Sequence, residues 1–547
     1  MLGPRPVVLS KAATIPKFHA FIFSDVAARM PYLVALVIDV AEGEAYLDLE
    51  SSERAIECLV AILRRALCLK SLKLLSSAGR QPFGYPDNPR LSAAIGEVAS
   101  LRELTIDGQT RVVDFVDAVR SPLTRLTLCM SGPSGGPDPW TQNTLSDALI
   151  RFKDSLESLS IRGSRVQLER SSIGFPVSTL TQFHAVRSLT LNQLVTFPHL
   201  PILLELFPNL NGTVHLTGFP YYSIPDFACD EPQRYTFFRE VREENGRAQE
   251  RQRWTRLERL ICDVDTLFIL NLRCPVGLTI VHKCTACTNP ALRRYLAESL
   301  RGHRSTRLNL QLAIWWGVDQ PLLDSIIPPE AAARLTHLTL CVRYVYDNSP
   351  DPTPGPRYAD TRWDDLWRNA LLPTIAPLRL RALTHFRLVF HCQAQEGEEA
   401  ARPISEEPTV EDLRPTPHGR FDFTAIASVV ADALPSLRYC FMTNSAHVLT
   451  HVDARLTVVE GWRESRAWQV ACDPAGSTGA AAAADTCAIP RELLEMDNSV
   501  AEALMGREDL FLSTEEKAST VKHDFSFVCV CSNTVYVNLQ DAMEWDD

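Results

Sequence analysis

The chain has 547 residues, 46% of them apolar and 22% charged, with 66 acidic against 55 basic side chains and a net charge of −11. That composition excludes wholesale disorder, and the length exceeds one ordinary core unless the chain is a repeat array. The negative balance argues against generic nucleic-acid binding, and no apolar run reaches the ~18 to 20 residues of a membrane helix. The amino terminus lacks the basic run and long apolar stretch of a secretory signal, so a cytoplasmic or nuclear location is expected. There the fifteen cysteines, scattered rather than densely spaced, read as reduced and buried.

Taken in chain order, one pattern keeps returning: Leu, two residues, Leu, one residue, then Leu or Ile. It begins at Leu33-Leu36-Ile38 and recurs at Leu69-Leu72-Leu74, Leu101-Leu104-Ile106, Leu123-Leu126-Leu128 and Leu156-Leu159-Ile161. Variants follow at Val186-Leu189-Leu191 and Leu257-Leu260-Cys262, then the regular Leu335-Leu338-Leu340, then Leu383-Phe386-Leu388 and Leu437-Cys440-Met442. The last two apolar positions of each copy are two apart, which predicts a short strand with one buried face. Between copies the spacing turns helical, as in Ile56, Leu59, Val60, Leu63 and Leu67, in Leu145, Ala148, Leu149 and Phe152, and in Ile426, Val429, Val430 and Ala433. Asn289-Pro290 marks another helix start, ahead of Leu292, Tyr295, Leu296 and Leu300.

A strand and a helix that recur together bury their apolar edges by stacking on their neighbours. The expected fold is therefore α/β: an irregular leucine-rich-repeat solenoid, a horseshoe with a parallel inner sheet and outer helices. The solenoid is expected over residues 1–470. A charged helical insertion at 228–256, with interleaved signs, reads as exposed and ion-paired. An acidic, proline-containing loop is expected at 393–419. Residues 471–547 read as an alanine-rich linker and a poorly ordered acidic tail, with a possible short strand at Phe525 to Val537.

The LxxLxL strands, with their SLRELTI, PLTRLTL, SLESLSI and RLTHLTL phrasing, resemble the leucine-rich-repeat portion of fungal F-box/LRR-like proteins. The opening Arg5-Pro6-Val7-Val8-Leu9, followed by a helix from Ile15 to Met30, looks like the first strand and capping helix that follow the F-box in that family. The resemblance implies a non-enzymatic protein-recognition scaffold, the substrate-binding half of an F-box ubiquitin-ligase receptor. The family's F-box has no room before Leu9, so none of its ligase-contacting residues carries over. A cullin-ligase adaptor is a partner only if an F-box lies upstream; the alternative is a stand-alone repeat protein without a ligase link.

Residues flanking the inward leucines should line the concave face and take a protein partner there. The candidates are Arg125, Arg162, Arg259, His337, His385, Arg387, Tyr439 and Phe441, with the later, aromatic and cationic ones weighted most. No catalytic motif, metal ligand or cofactor site is assigned. Cys284 and Cys287 form a C-x-x-C pair that would suit zinc, but no second pair follows at the required spacing, and incidental thiols are the preferred reading.

Overall fold

The repeat acts through parity. Two residues that are two apart in an extended chain point to the same side, and the residue between them points to the other. In the computed structural model the protein is α/β, with sixteen strands of mostly parallel sheet and thirteen helices among the described residues. All ten copies of the pattern fall on these strands. The structure describes residues 6–40, 49–76, 88–107, 116–129, 140–162, 166–167, 181–192, 194, 197–217, 231–284, 290–314, 326–345, 372–375, 380, 382–395, 422–452, 455–472 and 491–510. The chain divides into two compact units, Met1–Val276 and Gly277–Asp547.

The first unit contains β1 (Val7–Leu9), β2 (Ala35–Val40), β3 (Ser71–Ser76), β4 (Glu103–Asp107), β5 (Arg125–Cys129), β6 (Trp140–Thr141), β7 (Ser158–Arg162), β8 (Val166–Gln167), β9 (Ser188–Asn192), β10 (Thr213–Thr217) and β11 (Leu257–Cys262). All but β6 and β8 run side by side and parallel; those two form a separate small sheet. Register stacks Leu36, Leu72, Leu104, Leu126, Leu159, Leu189, Val214 and Leu260 in one file. A second file runs Ile38, Leu74, Ile106, Leu128, Ile161, Leu191, Leu216 and Cys262. Every member of both files is buried.

Helices lie between these strands, and their starts are built locally. Asn88 accepts hydrogen bonds from the backbone N–H of Arg90 and Leu91, with Pro89 in the first turn of the helix Pro89–Gly96. The helix Glu231–Arg251 carries the expected ion pairing, with Arg239 Nε 3.1 Å from Glu243 Oε1, but it is not exposed all round. One of its faces is buried, with Phe238, Val241, Asn245 and Gln249 at helical spacing. Hydropathy misses this face because two of its four positions are amides, whose polar atoms are satisfied by backbone. Asn245 Oδ1 accepts from Leu200 N at 3.0 Å, while its Nδ2 donates to the carbonyls of Pro198 and Ile269. Gln249 Nε2 donates to Asn271 O at 2.9 Å and its Oε1 accepts from Arg273 N at 2.8 Å. Asn245→Ala strands a buried N–H and two buried carbonyls, so a loss of about 2–3 kcal/mol is expected in denaturant unfolding. An unchanged midpoint would show that these bonds contribute nothing net.

The second unit contains β12 (Val276–Cys284), β13 (Arg307–Ile314), β14 (His337–Val345), β15 (His385–Gln395), β16 (Tyr439–Val452), β17 (Arg455–Cys472) and β18 (Arg491–Glu495). The strands β12 to β16 are parallel, and β17 and β18 then pair antiparallel. The inward file here is Leu308, Leu338, Phe386, Cys440 and Trp468, all buried.

Residues 471–547, expected as an alanine-rich linker and a poorly ordered acidic tail, include an ordered part at 491–510. After β18, Asp497 caps the helix Asn498–Arg507 through Ser499 N. Ala501, Leu504, Met505 and Leu510 then pack with Phe441 and Ala467 in one apolar cluster. Four buried apolar residues in an acidic stretch give enough contact to order it, which composition alone does not reveal. The expected strand at Phe525 to Val537, most of the acidic loop at 393–419 and the side chains of the C-x-x-C pair lie outside the described residues.

Candidate partner-binding faces

The residues that alternate with the inward leucines form rows on the opposite face of the sheet. In the first unit one row runs Ser71, Glu103, Arg125, Ser158 and Ser188, and another pairs Thr213 with Arg259. The neighbouring row is Lys73, Thr105, Thr127, Ser160, Thr190 and His215. Arg125 is exposed and lies 3.3 Å from Glu103. Arg162, also exposed, donates from Nε to Ser160 Oγ at 3.2 Å. Arg259 is half-buried. The three arginines therefore share one face, together with Lys73 and with His215, which falls on a strand that the leucine pattern does not mark. That face carries more cationic than anionic side chains.

The second unit behaves differently. Its first row is Arg307, His337, His385, Tyr439 and Gln469, and its second is Asn309, Thr339, Arg387, Phe441 and Ala467. The sequence offered His337, His385, Arg387 and Phe441 as open to a partner; all four are buried. The helix Asn498–Arg507 and the residues after it cover them. Phe441 lies in the cluster with Ala501, Leu504, Met505 and Leu510, and Tyr439, half-buried, packs at its edge. Arg387 is fully buried and donates from Nη1 to Leu510 O at 2.6 Å. The covering segment turns at Asp509, whose φ of 53° is left-handed and lets Leu510 N return to Met505 O at 2.9 Å.

At the end of that segment Glu508 meets the histidine row. Its carboxylate lies 3.3 Å from Arg307 Nη2, 3.4 Å from His337 Nε2 and 3.1 Å from Arg507 Nε. Arg307 Nη1 also donates to Glu508 O at 3.1 Å. The rings of His337 and His385 stack with centroids 4.2 Å apart, and Tyr439 follows His385 at 5.0 Å. Burial, then the neighbouring His385 and Arg307, push the His337 imidazole down to about 4, against the opposing pull of Glu508. Burial lowers His385 as well, aided by Arg307, Arg438 and Arg507. Partial burial pushes Glu508 up, but Arg507, His385 and Arg307 outweigh it and hold the carboxylate below its ordinary range.

The sequence assigned no metal ligands, yet His337, His385 and Glu508 bring one ligand atom each to within 4.8 Å of one another. Register pairs His337 with His385, but no motif links them to Glu508, which lies far along the chain and outside the strands. No protein-family model and no curated protein sequence matches the chain.

Proposed function

We propose that the protein is a non-enzymatic recognition scaffold: an irregular leucine-rich-repeat solenoid that captures a protein on the outward face of its sheet. It would serve as the substrate-binding half of an F-box receptor does. One observation carries this reading. The first unit sets nine parallel strands side by side and presents rows of exposed and half-buried polar side chains, Arg125 and Arg162 among them. The binding face is moved from the later rungs to the earlier ones, since the second unit covers its own. The cationic excess on this face favours a partner with an acidic patch. A cytoplasmic or nuclear location accords with the absence, among the described residues, of any helix long and apolar enough to cross a membrane.

The test is a quantitative pull-down that compares the natural chain with Arg125→Glu plus Arg162→Glu. Both side chains are exposed, so the fold should stand. Loss of the same enriched proteins, with binding in the natural chain that weakens as salt rises, is expected. Enrichment that ignores both reversals removes this face from consideration. The ligase link is a separate matter, decided by whether a transcript encodes an F-box ahead of Leu9.

A further inference from the structure

The hydrogen bonds around His337 and His385 leave one buried ring nitrogen, His337 Nε2, without a partner. Thr336 and Thr384 each donate a hydroxyl proton to the main chain of the preceding rung, to Thr306 O at 3.2 Å and Thr336 O at 3.1 Å. Each Oγ1 then turns a lone pair to the imidazole that follows it, 2.8 Å from His337 Nδ1 and 2.9 Å from His385 Nδ1. This assigns the proton of each neutral ring to Nδ1 and the lone pair to Nε2. His337 Nε2 is buried and makes no hydrogen bond, yet it lies 3.4 Å from Glu508 Oε2, a carboxylate oxygen that accepts from Arg307 Nη2 at 3.3 Å and has no proton to give.

Two acceptors facing each other at this distance repel unless a proton or a cation lies between them. A metal ion fits the spacing. With metal–ligand bonds of about 2.0–2.1 Å at a tetrahedral angle, adjacent ligand atoms lie roughly 3.3–3.4 Å apart, and the observed separation is 3.4 Å. His385 supplies a third atom within 4.8 Å of the others; its ring is stacked parallel to that of His337 within 6°, so a rotation about χ2 is needed to bring both in-plane lone pairs onto one ion. The threonines play the orienting part that hydrogen-bond partners of metal-bound histidines play elsewhere.

We propose that His337, His385 and Glu508 form a site for a divalent transition metal of the zinc class, in which two imidazoles from the sheet and a carboxylate from the carboxy-terminal segment are joined by the ion. Two nitrogens and one oxygen select zinc or cobalt over magnesium and calcium, and three protein ligands leave a fourth position for water. Arg307 and Arg507 on the carboxylate, and Arg438 near His385, oppose a dication. Affinity should therefore fall below that of a closed four-ligand structural site. Arg307 can keep its bond to Glu508 O while Oε2 turns to the metal. The ion fastens residues 498–510 over the face that contains Arg387 and Phe441. This inference stands apart from the proposed partner capture, and its test needs no partner.

The full chain, stripped of metal, is titrated with zinc while amide hydrogen exchange is followed over 498–510. At free zinc about a hundred times its dissociation constant, exchange in that segment should slow by about 100-fold. Cobalt should give visible absorption bands in the natural chain. Both effects should vanish in His337→Gln plus His385→Gln and in Glu508→Gln, and persist in Cys284→Ser plus Cys287→Ser. Glu508→Gln leaves the apolar packing of the segment untouched, so it decides the matter if the histidine variant fails to fold. Unchanged exchange in the natural chain, equal slowing in Glu508→Gln, or an effect lost only with the two cysteines would overturn the site.

Discussion

Leu126→Asp is expected to unfold the first unit, while Thr127→Asp, one residue later, is expected to cost less than about 1 kcal/mol. The contrast follows from parity: a shift of one position along a strand exchanges the buried face for the outward one. Leu126 is buried between Leu104 and Leu159 in the inward file, whereas Thr127 is half-buried in the outward row beside Thr105 and Ser160. Removing a buried leucine alone costs about 2–5 kcal/mol. A carboxylate in its place adds the desolvation of an unpaired charge, several kcal/mol more. The total, above about 5 kcal/mol, exhausts the stability of an ordinary domain. Because the rungs are stacked neighbours, the loss should spread beyond β5. Hydrogen exchange resolved by peptide is the right measurement, since it reports the two units separately. A Leu126→Asp chain with natural protection in β4, β5 and β7 would mean that the leucine file does not hold the unit together.

The sequence made the strands legible wherever a rung kept its leucines, and hid the rungs whose inward positions are polar or displaced. In β12 the inward central position is Thr279, fully buried and bonded through Oγ1 to His303 Nε2 at 2.6 Å. That pair replaces a leucine by a hydrogen bond, so the leucine pattern does not mark this strand. Before β13, Ser305 takes the place of the first leucine, and its Oγ donates to Arg307 O at 2.7 Å. In β10 one extra residue separates Leu210 from Val214, and Asn211 N and Gly212 N both return to Arg187 O. Gly212 fits there because a Cβ would come within 2.5 Å of Ser188 Oγ. Such substitutions are local solutions that leave backbone register intact, and register is what the leucines were signalling.

The site was less legible, because long-range cover leaves no periodic trace. The sequence picked out His337, His385, Arg387, Tyr439 and Phe441 as chemically unusual residues on an outward face, and the structure does gather them there. Their chemistry serves a contact within the chain. Asp497 followed by Ala501, Leu504 and Met505 is a capped amphipathic turn, and this was the available signal. It marks a helix with an apolar side, but nothing in its spacing names the surface that the side will meet.

Stability should respond to pH in opposite directions in the two units. In the second unit, burial and then Arg334 push the His303 imidazole down from 6.5 to about 4. The unfolded chain therefore binds the proton first as pH falls, so stability is complete above about 6.5 and is lost toward pH 4. The gap corresponds to about 3 kcal/mol. In the first unit the sign reverses. Burial raises the Asp265 carboxyl from 3.8 to about 7, partly offset by its own backbone N–H. Here the folded state holds the proton, so this contribution is complete below about 3.8 and is lost as pH rises through 7. The loss amounts to about 4 kcal/mol by pH 8. Other groups titrate over the same range, so each residue is read as a variant-minus-natural difference. Asp265→Asn should stabilise the first unit by up to about 4 kcal/mol at pH 8 and change it little at pH 4. His303→Gln keeps a partner for Thr279 Oγ1 and should flatten the acid limb of the second unit alone. Equal slopes in natural and variant chains would show that neither group is held away from its ordinary protonation, and then the Thr279–His303 pair could not stand in for a buried leucine as a neutral contact.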